Sequence, residues 1–258
     1  MSRAPAVCVI TGFGINADEE LARAFQMAGA EARRTHVADL IDTPDLLRGF
    51  RILAFPGGFS FGDHLGSGKV FATLFRRNLG ERMERFLSGG GLVIGICNGF
   101  QVLVKMGMLP NASGSGAQEV SLIHNDSGRY EDRWVTVRFE ARSRCAWTRG
   151  LEEMDLPVRH GEGKFITRSA GQLDELAGLG LIALRYASAG EGEPGYPEDP
   201  NGSEGHVAGI CDPGGRVLGL MPHPEAFIRA QNHPDWTARR VEPDGLRIFR
   251  NGVNAARE

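Results

Sequence analysis

Gly91-Leu92-Val93-Ile94-Gly95-Ile96-Cys97-Asn98-Gly99-Phe100-Gln101 sets a single cysteine between two different hydrophobic patterns. Leu92 to Ile96 is a short, unbroken apolar run of the kind that forms a strand buried on both faces of a parallel sheet. From Gly99 to Met106 the apolar residues Phe100, Val102, Leu103 and Met106 read as the start of a helix. A cysteine at that junction sits on a sharp strand-to-helix turn, with its sulfur presented at the C-terminal end of the strand. Gly95 and Gly99, two residues to either side, allow a close backbone approach, as in the nucleophile elbow of hydrolases. The helix N-terminus just beyond favours negative charge and so favours thiolate. The competing reading of a lone cysteine in an apolar run is a buried, inert thiol.

Working outward, the first half alternates strands and helices. Ala6 to Thr11, Glu31 to Val37 and Ile52 to Phe55 read as strands. Asp18 to Ala28, Pro44 to Phe50 and Thr73 to Leu87 read as helices. This alternation predicts an α/β protein: a mostly parallel central sheet flanked by helices, with chemistry at the C-terminal strand ends. The second half adds strands at Glu119 to Ile123, Trp134 to Phe139, Leu181 to Tyr186, His206 to Cys211 and Val217 to Met221. A Gly/Pro/Glu-rich loop from Ala189 to Gly205 separates two of them. No repeat and no linker divides the chain, so residues 1–258 read as one domain. Its last part, 232–258, is a polar, Arg-rich extension that reads as a solvated helix.

With 258 residues, the chain is long enough for one sizeable core. A net charge of −3 gives no general attraction to nucleic acid or anionic membrane. The four cysteines, Cys8, Cys97, Cys145 and Cys211, are far apart and form no Cys-x-x-Cys pair. That spacing argues against a disulfide framework and against zinc, and the histidines show no ligand spacing, so no metal site is expected. Met1-Ser2-Arg3-Ala4-Pro5 leads into a strand without a signal-peptide core, which points to the cytoplasm.

Three further stretches bear on chemistry. In Met221-Pro222-His223-Pro224-Glu225, each residue before a proline is pushed towards extended geometry, which turns His223 and Glu225 to the same side. A carboxylate beside an imidazole fixes its tautomer and stabilises its charged form, although a surface turn would carry the same residues. Pro56-Gly57-Gly58-Phe59-Ser60-Phe61-Gly62-Asp63 follows a buried strand, and its double glycine leaves a backbone N–H unobstructed. That meets the requirement for half of an oxyanion hole, the other half being the N–H of Asn98. The Gly57-Gly58 peptide is also free to flip on steric grounds. Gly66-Ser67-Gly68-Lys69 resembles a phosphate loop, but Asp63 and Val70 replace the glycine and the hydroxyl residue that such a loop needs. His160-Gly161-Glu162-Gly163-Lys164-Phe165 and Tyr196-Pro197 to Asn201-Gly202-Ser203 read, on their own, as turns.

Taken together, the Pro56-Gly57-Gly58, Gly95-to-Gln101 and His223-Pro224-Glu225 motifs resemble the class I (triad) glutamine amidotransferases, which have a flavodoxin-like fold. Within them the chain looks most like the glutaminase subunits of phosphoribosylformylglycinamidine synthases of purine biosynthesis. The stretches that carry this are Gly57 to Asp63, Cys97 to Gln101, Pro157 to Phe165 and Pro200 to Glu225. The resemblance runs from about Ala6 to Ala230. Arg159 stands where the family has a small residue, and Ala226 where an arginine often follows the glutamate.

The resemblance implies Cys97 as nucleophile, His223 as general acid and base, and Glu225 as the carboxylate that orients it. It also implies an oxyanion hole from the N–H groups of Gly58 and Asn98, glutamine binding at Gly57, a hold on the glutamine side chain by Gln101, and a cap over its α-amino and α-carboxylate end from the stretch that contains His160 and Gly161. No cofactor is implied in this chain; ATP and magnesium belong to a partner synthetase subunit, and a third small subunit is the other candidate partner. The alternatives are a glutaminase for another synthetase, such as that of GMP, anthranilate or pyridoxal phosphate synthesis; a cysteine hydrolase of the peptidase-like branch; or a non-catalytic binding module.

Overall fold

The computed structural model describes residues 3–188, 190 and 192–258, so Ala189, the start of the expected Gly/Pro/Glu-rich loop, lies outside the described residues. The chain runs β1 (Ala6–Thr11), α1 (Asp18–Met27), β2 (Glu31–His36), α2 (Val37–Asp42), β3 (Ile52–Phe55), α3 (Lys69–Ser88), β4 (Leu92–Ile96) and α4 (Asn98–Lys105). It continues with β5 (Val120–His124), β6 (Glu131–Phe139), β7 (Glu153–His160), β8 (Glu162–Thr167) and α5 (Gln172–Gly178). The final elements are β9 (Ile182–Ala187), β10 (Val207–Cys211), β11 (Val217–Leu220) and α6 (Gly245–Ala255).

One 9-stranded sheet has the order β2-β1-β3-β4-β11-β10-β9-β6-β7, and β5 and β8 form a separate ribbon. From β2 to β11 every neighbour is parallel. From β11 to β7 every neighbour is antiparallel. The pattern follows the residues. β3, β4 and β11 are buried at every position, as parallel strands covered on both faces must be. β2 (EARRTH) is a charged edge strand, which blunts the sheet against further pairing. Strand order reverses between β1 and β3, so the crevice beyond their C-terminal ends is the natural binding site of this architecture.

Pro44 to Phe50 is a short helix as expected, of the 3₁₀ kind, over Pro44–Gly49. Two other expectations need correction. His160 to Phe165 is not a turn: β7 runs through His160, β8 begins at Glu162, and only Gly161 separates two strands that belong to different sheets. Pro157 disguised β7, yet β7 is an edge strand, where a missing N–H is tolerated.

The second correction concerns the Arg-rich C-terminus, which is not simply solvated. Arg247 and Arg250 of α6 are exposed, but Leu246, Ile248, Phe249 and Val253 are buried on its opposite face. Phe249 packs edge-on against Phe25 of α1, with centroids 5.1 Å apart. Charge composition hid the helical spacing of these four residues. Phe249→Ala is therefore expected to cost about 3–5 kcal/mol, and Arg250→Ala less than about 0.5 kcal/mol. Urea-unfolding midpoints of the two variants check this, and equal midpoints would mean that α6 is not part of the core.

Candidate active site

Cys97 closes β4 with φ 51° and ψ −107°, a positive φ of a kind that costs a non-glycine residue about 1–3 kcal/mol. The neighbouring elements hold it there. The Cys97 N–H donates to the Leu220 carbonyl on β11 at 2.8 Å, and its carbonyl accepts from the Gln101 N–H at 3.1 Å. α4 can start this close to the sheet only because Gly99 has no side chain: a Cβ there would lie 2.0 Å from the Phe55 carbonyl oxygen. The thiol is 6% exposed, and Sγ lies 3.7 Å from the Arg159 carbonyl oxygen.

His223 and Glu225 follow β11, the strand beside β4. The proline-framed extended chain brings their side chains together as the spacing predicts: Nδ1 of His223 lies 2.6 Å from Oε1 of Glu225, with both residues buried. The His223 N–H donates to the Pro157 carbonyl at 2.8 Å, tying this segment to β7. Burial pulls the imidazole pKa down, but Glu225 and the Cys97 thiol outweigh it and raise the value to about 10. His223 and Cys97 flank the same glycine. A Cβ on Gly57 would lie 2.7 Å from His223 Cε1 and 3.6 Å from Cys97 Cβ, so a larger residue there would displace the imidazole.

The double glycine is clamped. The Gly57 carbonyl accepts from the N–H groups of Asn16 and Ala17 at 3.4 and 3.3 Å, and the Phe59 N–H donates to Gly14 at 2.8 Å. Because the peptide is trans, the Gly58 N–H points the opposite way from that carbonyl. Gly58 itself has φ 144°, and a Cβ there would strike the Gly14 carbonyl at 2.7 Å. The flip that the sequence permitted is thus opposed by these bonds to the loop before α1. Asn98 extends the clamp: its Oδ1 accepts from the Ser60 N–H at 3.2 Å, and its Nδ2 donates to Gln101 Oε1 at 3.0 Å. Gln101 Nε2 donates to the Glu162 carbonyl at 2.7 Å, so this side chain braces the wall between α4 and β8.

A cleft of about 280 Å³ gathers Gly58, Cys97, Gln101, His160, Gly161 and His223. Six of the predicted site residues therefore meet there, brought by the chain just after β3, β4 and β11, by the first turn of α4 and by the end of β7, whereas Gly57, Asn98 and Glu225 do not line the cleft. Burial, and then the charge of His223, push the His160 pKa down to about 3. Sequence reasoning missed what holds His160. Asn125, in the turn after β5, faces His160 Nδ1 at 3.1 Å. Asn201, fully buried, donates to the Gly163 carbonyl at 2.8 Å and to the Tyr186 hydroxyl at 3.1 Å. The Asn201-Gly202 turn is therefore a brace behind β8; only the turn signal was visible in the sequence. Arg159, on the cleft wall, pairs with Glu20 of α1 at 3.2 Å.

Comparison with known proteins agrees with this geometry. The sequence profile described as the CobB/CobQ-like glutamine amidotransferase domain matches residues 4–255. The chain belongs to the CobB/CobQ-like glutamine amidotransferase family. It is 44% identical over 247 residues to phosphoribosylformylglycinamidine synthase subunit PurQ of Dehalococcoides mccartyi, covering 95% of each chain. It is 39% identical over 265 residues to the same subunit of Methanococcus maripaludis, covering 96% of each. The solved PurLQS structure from Thermotoga maritima superposes with a TM-score of 0.73 at 27% identity, over 98% of this chain and 99% of that one.

In this amidotransferase the two cleft histidines leave opposite marks on stability. His160, lowered from 6.5 to about 3, contributes stability that is complete above about pH 6.5 and lost as the pH falls towards 3. His223, raised from 6.5 to about 10, contributes stability that is complete below about pH 6.5 and lost as the pH rises towards 10. The limiting slope is about 1.4 kcal/mol per pH unit for each. His160→Gln is expected to make the acid-side loss shallower and leave the alkaline side unchanged, as read by urea unfolding across the pH range. An unchanged acid limb would show that His160 is not buried neutral.

Proposed function

We propose that this chain is the glutaminase subunit of phosphoribosylformylglycinamidine synthase, hydrolysing glutamine to glutamate and ammonia and delivering the ammonia to an ATP-dependent synthetase subunit in purine biosynthesis. The observation that carries the chemistry is Cys97 on its positive-φ turn, with the His223–Glu225 pair across Gly57 from it. The full-length similarity to PurQ subunits carries the assignment within the family.

The reacting pair is a Cys97 thiolate and a His223 imidazolium, whose charge Glu225 stabilises. The sulfur attacks the side-chain amide carbon of glutamine, forming the C–S bond. The carbonyl oxygen takes up the negative charge between the N–H groups of Gly58 and Asn98, the latter at the free N-terminus of α4. His223 passes its Nε2 proton to the amide nitrogen, the C–N bond breaks, and ammonia leaves behind a γ-glutamyl thioester. Neutral His223 then takes a proton from water as it attacks the thioester. Collapse releases glutamate and restores thiolate and imidazolium. Gly57 makes room for the imidazole, and Gln101, His160 and Gly161 line the glutamine cleft.

The reading needs no cofactor in this chain; ATP and magnesium are used by the partner, a third small subunit fits the same assembly, and the cytoplasm is the site of action. Among the described residues no helix is long and apolar enough to cross a membrane. The partner's place is the cleft mouth, where the exposed rings of Phe59 and Tyr130 lie 6.4 Å apart on the cleft wall.

With chain and synthetase reconstituted together, Cys97→Ala should abolish glutamine-dependent synthesis and leave ammonia-dependent synthesis intact. His223→Ala should lose about 10²–10⁴-fold in glutamate release, and Glu225→Gln less, because the acid–base group survives. Glutamate release by the Cys97 variant at the parent rate, or a folded Glu225 variant damaged more than the His223 variant, would refute these roles.

A further inference from the structure

Asn125 fixes the chemistry of His160 as well as its position. Its Nδ2 donates to two carbonyls, those of Arg129 at 3.0 Å and His160 at 2.8 Å. The reversed amide would set an oxygen against both of these acceptors, so Oδ1 must be the atom that faces His160 Nδ1 at 3.1 Å. A carboxamide oxygen only accepts, so Nδ1 carries the proton and Nε2 holds a lone pair. The ring has no freedom to exchange them. It lies against Gly163, where a Cβ would come within 2.6 Å of Cε1 and Nδ1, and a half-turn would put a C–H against Asn125. Nε2 is buried and has no hydrogen-bond partner among the described residues. A buried acceptor left unpaired is destabilising, which calls for a ligand that supplies a donor.

His160 lines the same cleft as Cys97 and His223. We propose that Nε2 of His160 accepts a hydrogen bond from the side-chain carboxamide N–H of bound glutamine and thereby selects the amide over the acid at the reacting end. The inference rests on the glutaminase reading above. The carboxamide nitrogen carries two hydrogens; engaging one leaves its developing lone pair free to take the proton from His223. Glutamate places an oxygen at the same point. Lone pair then meets lone pair, and because burial keeps His160 neutral there is no proton to share, so the product is disfavoured. Sites built to bind an N–H reject analogues that lack it far more strongly than apolar pockets reject a change of size. In this account Asn125 is a positioning residue that acts through His160.

The test compares glutamine with glutamate γ-methyl ester, which keeps the acyl chemistry but has no N–H at the reacting end, in the complex of full chain and synthetase. His160→Gln and Asn125→Leu should each lower the glutamine-to-ester ratio of kcat/KM by about tenfold or more, in line with the loss of one hydrogen bond to a group that must be paired, and should tighten inhibition by glutamate. Equal losses on both substrates in folded variants would overturn the inference. An independent readout needs no variant to be active: histidine-labelled ¹⁵N spectra of the parent chain, with the His160 signal assigned by its absence in His160→Gln. The expected signal is a neutral ring protonated on Nδ1 that does not titrate between about pH 5 and pH 9, where an ordinary histidine would. A proton on Nε2 would overturn it. Absence of glutamine turnover by the complex would overturn the glutaminase reading and this inference with it, whereas turnover with an unchanged ratio overturns this inference alone.

Discussion

The approach of α4 to the C-terminal edge of the sheet, permitted by Gly99 against the Phe55 carbonyl, is the constraint on which the rest of the site depends. It forces Cys97 into its positive φ and starts α4 at Asn98, which leaves helix N–H groups beside the sulfur. It also puts the Asn98 side chain where it can tie down Ser60, so that the elbow and the glycine loop are registered to each other. A substituent on Gly99 would undo all three together. The strain at Cys97 is held by the Leu220 carbonyl on one side and the first turn of α4 on the other, which are parts of the core rather than of the loops.

Two histidines share one cleft and are driven in opposite directions by what surrounds them. His223 has a carboxylate at 2.6 Å and a thiol beside it, and these keep it charged despite full burial. His160 is kept uncharged by burial first and by the charge of His223 second, and it meets only a neutral carboxamide at Nδ1. The charged ring can give a proton, and the uncharged one can only accept. This division of labour uses no residue type beyond the pair and their immediate partners.

The parallel half of the fold was legible because its strands are short, continuous apolar runs: Ala6–Thr11, Ile52–Phe55 and Leu92–Ile96 were placed to the residue. The placement of Cys97, His223 and Glu225 was legible for a related reason, since glycine and proline spacing dictates local backbone, and local backbone positions these side chains. What stayed hidden depends on distant partners. β7 carries a proline that only its edge position makes acceptable. α6 buries Phe249 beneath an Arg-rich composition. Asn125 meets His160 across 35 positions of sequence, and Asn201 meets Gly163 across 38. The restraint on the Gly57-Gly58 peptide comes likewise from the loop before α1, which the glycines themselves cannot disclose.

The central claim is that the Cys97 sulfur takes the glutamyl group from glutamine. The most direct measurement is rapid acid quench of the complex turning over glutamine, followed by peptide mass spectrometry of all four cysteines. The account predicts a γ-glutamyl increment on the peptide that contains Cys97 and on no other, lost on treatment with hydroxylamine as a thioester is. Steady glutamate release with Cys97 unmodified at every quench time, or with the increment on Cys8, Cys145 or Cys211, would contradict it.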